Sequence, residues 1–110
     1  MKKFLIFLGL MFILIFYNFT VLAEEGEKIF KRFNCGSCHY QKEEGFAPSL
    51  KNISKAYKNK KGELIKYLKG EAKAIIDPDR EDFMKPYIKQ TKSLENKDLE
   101  KLADFLLLSF

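Results

Sequence analysis

The chain has 110 residues, with 20 Lys and Arg against 15 Asp and Glu, two cysteines and one histidine. That length gives one small domain rather than two, and two cysteines with one histidine fall short of the four nitrogen or sulfur ligands of a structural zinc site. The formal charge of +5 comes with no recognisable nucleic-acid motif, so nucleic acid is not an expected partner.

Residues 1–23 read as a signal peptide. Met1-Lys2-Lys3 is a short basic start, residues 4–17 are rich in Phe, Ile and Leu, and Val21-Leu22-Ala23 supplies a small-residue cleavage pattern before Glu24. The alternative is an uncleaved membrane anchor, since residues 4–23 are long enough to span a bilayer. Both place the domain of residues 24–110 outside the cytoplasm, in a periplasm or tethered to the outer face of the membrane. Membrane contact is expected only if the segment is retained. Without Lys2 and Lys3 the mature chain has 18 cationic and 15 acidic side chains.

Helical spacing recurs along the mature chain and strand alternation is nearly absent. Residues 24–33 form the first expected helix, acidic at its start and apolar along Ile29, Phe30 and Phe33. It runs into Cys35-Gly36-Ser37-Cys38-His39, whose spacing is that of a c-type haem attachment site. Each thiol reaches one vinyl group of a single porphyrin, and the adjacent imidazole offers a nitrogen to the iron. These are the only cysteines and the only histidine in the chain, so the motif leaves no remainder. A thioredoxin-like dithiol belongs in a βαβ unit that does not read here, and a plain disulfide leaves His39 unused. Export and haem attachment also suit each other, because thioether formation removes two thiols that an oxidising compartment would otherwise join.

Gly45-Phe46-Ala47-Pro48 then makes a turn, followed by a short helix from Ser49 to about residue 58. The run 51–61 carries five lysines and no acid, with Lys51, Lys55 and Lys58 at helical spacing. It is either a solvated helix face or a basic rim that steers an acidic redox partner. A helix over 63–69 lies between Gly62 and Gly70. Asp77-Pro78-Asp79 and Lys85-Pro86 break the stretch 74–94, which holds Met84 in the loop 82–86. Met84 is the one methionine outside residues 1–23 and so the one thioether available as a second axial ligand; the alternatives are an open site or a lysine. The last helix shows Leu99, Leu102, Ala103, Leu106 and Phe110 at three-and-four spacing, with Asn96 and Asp98 near its expected cap. An 87-residue chain builds a marginal core alone. A flat apolar cofactor lined by Phe30, Phe33, Tyr40, Phe46, Tyr57, Tyr67, Phe83, Tyr87, Phe105 and Phe110 would supply the missing buried surface.

Taken in order, Gly26 and Phe30, the Cys35–His39 motif, Pro48-Ser49-Leu50 with Tyr57, Met84-Lys85-Pro86 and Leu102-Ala103-Asp104-Phe105-Leu106 resemble the small class I c-type cytochromes of bacterial periplasms, across essentially all of 24–110. The resemblance implies an all-α, cytochrome c-like fold of about four short helices and long loops around one covalent haem c. It implies first and last helices that cross beside the haem, with Gly26 and Phe30 against Phe105. It also implies iron ligation by His39 and Met84, and a Pro48 carbonyl bonded to the other nitrogen of His39. Ala47 stands where the family usually has glycine. A tryptophan that some relatives carry before the methionine is missing, and Ile75 or Ile76 is expected to fill its space.

The leading expectation is a one-electron carrier of an exported respiratory chain, not an enzyme, that exchanges electrons with redox proteins. A haem-based sensor or small-gas binding protein with a labile Met84 is the alternative, and a thiol–disulfide oxidoreductase using Cys35 and Cys38 comes third.

Overall fold

The computed structural model describes residues 9–11, 24–108 and 110. The expected leader or anchor lies outside the described residues, except for the helical residues 9–11. Among the described residues, no helix is long and apolar enough to cross a membrane.

From residue 24 onward the described residues form α-helices and 3-10 turns with no strand. Helix α1 covers 24–32, α2 Leu50–Ala56, α3 Lys61–Leu68, α4 Lys85–Thr91 and α5 Asn96–Leu106; 3-10 helices cover Cys35–Ser37 and Pro78–Met84. This is the expected all-α architecture with three corrections. Helix α4 falls where Lys85-Pro86 was expected to break the chain, because Pro86 occupies the first turn, where its missing N–H has no partner to lose. Pro78 likewise opens a 3-10 helix rather than a loop. Gly62 sits inside the first turn of α3 rather than ahead of it.

Helix α5 is the centre of the core. Its three-and-four spacing buries Leu99, Leu102, Ala103, Phe105 and Leu106, and it packs on α3 and α2. Each fully buried leucine contributes about 1.5–3 kcal/mol relative to exposure. Phe110 lies past the helix end, and its ring meets Phe105 at 5.7 Å between centroids. Helix α1 crosses α5 at Gly26. A Cβ there would run into the Lys101 carbonyl oxygen and come within 2.6 Å of the Phe105 Cβ, so only glycine permits this approach. One turn on, Phe30 meets Phe105 at 5.2 Å, and Lys101 Nζ pairs with Glu25 at 2.9 Å. That pairing holds the Glu25 carboxyl below its ordinary range and raises Lys101.

The ends of α2 and α3 are written locally. The Ser49 side chain accepts from the Asn52 N–H to cap α2. At the end of α3, Gly70 takes φ +75; its N–H reaches the Tyr67 carbonyl and that of Glu71 the Lys66 carbonyl, each at 2.9 Å, a Schellman closure. The Thr91 hydroxyl, buried at the end of α4, donates to the Leu68 carbonyl at 2.5 Å and ties α4 to α3.

Candidate haem site

Every α-helix contributes to one cleft that holds about 1250 Å³ of free space, the solvent at its mouth included. Phe30 of α1, Ile53 of α2, Leu64 and Leu68 of α3, and Leu102 and Leu106 of α5 form apolar wall. The charged lining comes from one short segment, as Asp77, Arg80 and Glu81. Of the ten aromatics expected around a cofactor, Phe30, Phe46, Tyr57, Tyr67, Phe83 and Tyr87 line it. Phe105 and Phe110 belong to the core behind Phe30. Tyr40 is exposed and Phe33 carries the Arg32 guanidinium at 5.0 Å. Ile76 lines the cleft while Ile75 is half exposed, so Ile76 takes the space considered for either.

Cys35, Cys38, His39, Pro48 and Met84 all border this cleft. The turn that carries the first three starts from Asn34, whose φ of 58 is left-handed, a conformation asparagine tolerates better than most residues. The chain then tightens through Cys35–Ser37: the His39 N–H reaches the Cys35 carbonyl at 3.0 Å, and the Ser37 hydroxyl reaches the Asn34 carbonyl at 2.8 Å. Gly36 lets the Phe30 ring lie against the turn, 3.2 Å from where a Cβ would stand. Both cysteines are free thiols, and burial pushes the Cys35 thiol up to about 11.

His39 Nδ1 lies 2.7 Å from the Pro48 carbonyl oxygen. A carbonyl only accepts, so Nδ1 carries the proton and Nε2 of the neutral ring keeps its lone pair. The bond fixes both tautomer and ring orientation and makes the free nitrogen a better donor. Pro48 is held in turn by the next residues. Ser49, fully buried, donates through its N–H and hydroxyl to Glu44 Oε1 at 3.2 and 3.1 Å.

Met84, also on the cleft lining, is the last residue of the Pro78–Met84 helix and abuts α4, not a residue of a free loop. Tyr57 and Tyr67 flank the interior. Both phenols are raised, Tyr67 to about 12, first by burial and then by neighbouring groups that include Glu81. They stay neutral at any physiological pH.

These residues fit a covalent haem: two unjoined thiols, one imidazole with a free lone pair and apolar walls on a single cleft. Sequence reading missed Arg80, Glu81 and Thr91 as lining residues, since contacts across tens of residues leave no local pattern. The lysine run, open between a solvated helix face and a steering rim, contributes nothing to the cleft lining. Lys51, Lys55, Lys58 and Lys61 border a separate groove with Leu107 and Phe110, which shares no lining residue with the cleft, and Lys61 pairs with Asp104 at 2.8 Å. Lys51 and Lys55 lie on α2, Lys58 just beyond it and Lys61 at the start of α3.

A search of curated proteins finds no match. The family model described as Cytochrome c matches residues 23–109, which takes in every element from α1 to the end of α5. With that match over an all-α cleft of this composition, the chain belongs to the cytochrome c family, whose members hold covalent haem c with its iron and act as haem-based electron carriers.

Proposed function

We propose that the chain is a class I, single-haem carrier of an exported respiratory chain, with haem joined to Cys35 and Cys38 and with His39 and Met84 as axial ligands. The observation that carries this reading is the 2.7 Å bond from His39 Nδ1 to the Pro48 carbonyl, which leaves Nε2 free on the same cleft as both thiols and Met84. Bound haem supplies the ferric–ferrous couple. The chain's own residues anchor it, donate to it and exclude water; a thioether on the second side raises the potential, as does a dry aromatic lining.

The partners are redox proteins that meet the cleft mouth. The acidic-partner reading rests on Lys85 and Lys89 of α4, beside Met84, with Lys85 already paired to Asp82 at 2.8 Å, and not on the run 51–61, which borders a separate groove. The location is periplasmic, or tethered to the outer membrane face if residues 1–23 are retained.

Expression in a host with haem-attachment machinery tests the reading. Intact mass should show one haem that survives denaturation, and ferric protein should show a sulfur-to-iron charge-transfer band. Met84→Ala should abolish the band and lower the potential by roughly 0.1–0.3 V, a fraction of the ~0.8 V that axial ligands span. An unchanged band would overturn the Met84 assignment, and a mass equal to bare polypeptide would leave dithiol chemistry. The alternative is a gas-binding protein with a labile Met84. Carbon monoxide binding to the ferrous protein decides between them.

A further inference from the structure

We infer that Arg80, Phe46 and Phe83 form a latch across the cleft mouth that keeps Met84 in place, and so sets how readily an outside ligand replaces it. The inference rests on the proposed Met84 ligation and adds the residues that govern it.

Four contacts converge there. Arg80 Nη1 donates to the Phe46 carbonyl at 2.6 Å, across 34 residues of sequence. Its guanidinium carbon stands 5.7 Å from the Phe46 ring centroid, within cation–π range. Its Nε pairs with Asp77 Oδ2 at 2.9 Å, which fixes the fork against its own helix. Phe83, next to Met84, meets the Phe46 ring edge-to-face at 5.0 Å and 83°. Phe46 belongs to the loop that carries Pro48, the partner of His39. The latch therefore joins the His39 side of the cleft to the Met84 side.

Little else spans that gap. Among the described residues, the Ile75 N–H is the one backbone donor of 72–84 that bonds outside the segment, to the Tyr57 hydroxyl at a long 3.4 Å. The Ala74 N–H turns back onto Glu81 of the same segment. Pro78–Met84 runs directly into helix α4. Helix α4 holds one end, and the latch holds the face toward Phe46.

The consequence follows from a two-state argument. An outside ligand binds the iron only when Met84 is off, so its apparent affinity scales with the fraction of molecules in the open state. Removing latch contacts raises that fraction while leaving the intrinsic affinity alone.

Imidazole binding to the ferric holoprotein reads this directly. Arg80→Met keeps the side-chain stem but loses the fork, and it should raise the apparent imidazole affinity about tenfold while the resting charge-transfer band persists. Phe83→Leu should raise it about threefold, and Arg80→Lys should fall between Arg80→Met and the natural protein. Lys61→Met breaks an exposed ion pair of the same kind on the far side and should stay within twofold. Wild-type protein that shows the band, with Arg80→Met and Phe83→Leu both within twofold of it, overturns the latch alone. Absence of the band from the wild-type protein overturns the Met84 ligation and the latch with it.

Discussion

The two sides of the cleft are built differently. The His39 side stands on the α1–α5 crossing, where glycine, two phenylalanine rings and a Glu25–Lys101 pair meet within one turn, and its turn is closed by backbone hydrogen bonds from Asn34 to His39. The Met84 side is a short 3-10 helix whose residues border the cleft, tied to the loop of Pro48 by one arginine and an aromatic pair. Stability and control are thus separated in space. The first side holds close helix–helix packing, and the latch proposed for the second is built on exposed side chains. For a carrier this division keeps one attachment rigid and leaves the reactive face adjustable.

The sharpest way to break this comparison is at Gly26. Gly26→Ala puts a Cβ into the Lys101 carbonyl and the Phe105 side chain, and neither backbone yields without parting the helices. The cost should be about 3 kcal/mol, a fall in Tm of roughly 12 °C or more for a domain of this size. Arg80→Met, in contrast, should cost only about 1.4 kcal/mol, the equivalent of the tenfold change in the open fraction. Thermal denaturation followed by circular dichroism gives both values. Equal losses in the two variants would erase the distinction between the sides.

Much of the His39 side was legible because its signals are local. The Cys35–His39 spacing, the start of a helix near Ser49, Gly70 after α3 and the apolar repeat of α5 each lie within a few residues, and each reflects backbone chemistry that any environment imposes. The Met84 side was legible only in part. Met84 was picked out as the one methionine outside residues 1–23, but the helix after it was hidden by Pro86, a residue that breaks a helix interior and suits a first turn equally well. The contact from Arg80 to Phe46 crosses 34 residues and has no signature short of the fold. The lysine run shows the same limit: periodicity placed Lys51, Lys55 and Lys58 together, but only tertiary packing decides which way a helix face points.

A second, smaller test sharpens the claim that the haem-binding turn is preset. Asn34 holds φ 58, where a residue with an ordinary Cβ costs about 1–2 kcal/mol. Asn34→Ala should therefore lower Tm by about 4–16 °C, whereas Asn34→Gly should stay close to the natural protein. A similar loss for both variants would assign the effect to the asparagine side chain and not to the left-handed backbone.

The smallest effect is also the one that depends on pH. Glu44 Oε1 collects the Asn52 side-chain amide together with the N–H and hydroxyl of Ser49, at the N-terminus of α2 and beside the carbonyl that holds His39. These donors, Asn52 first, hold its carboxyl below the ordinary 4.5 against a weaker opposing push from burial. A lowered folded value means that the unfolded chain binds the proton more readily, so stability rises with pH through that window. The contribution is complete above pH 4.5 and is lost as pH falls through the lower folded value. Glu44→Gln should lower Tm at neutral pH by under about 4 °C, since the carboxylate is exposed, and the difference from the natural protein should shrink toward zero in more acidic solution. A gap that stays constant down to the acid limit would show that Glu44 acts through its shape and not through its charge, leaving the dipole of α2 and the Ser49 cap to hold the Pro48 carbonyl without it.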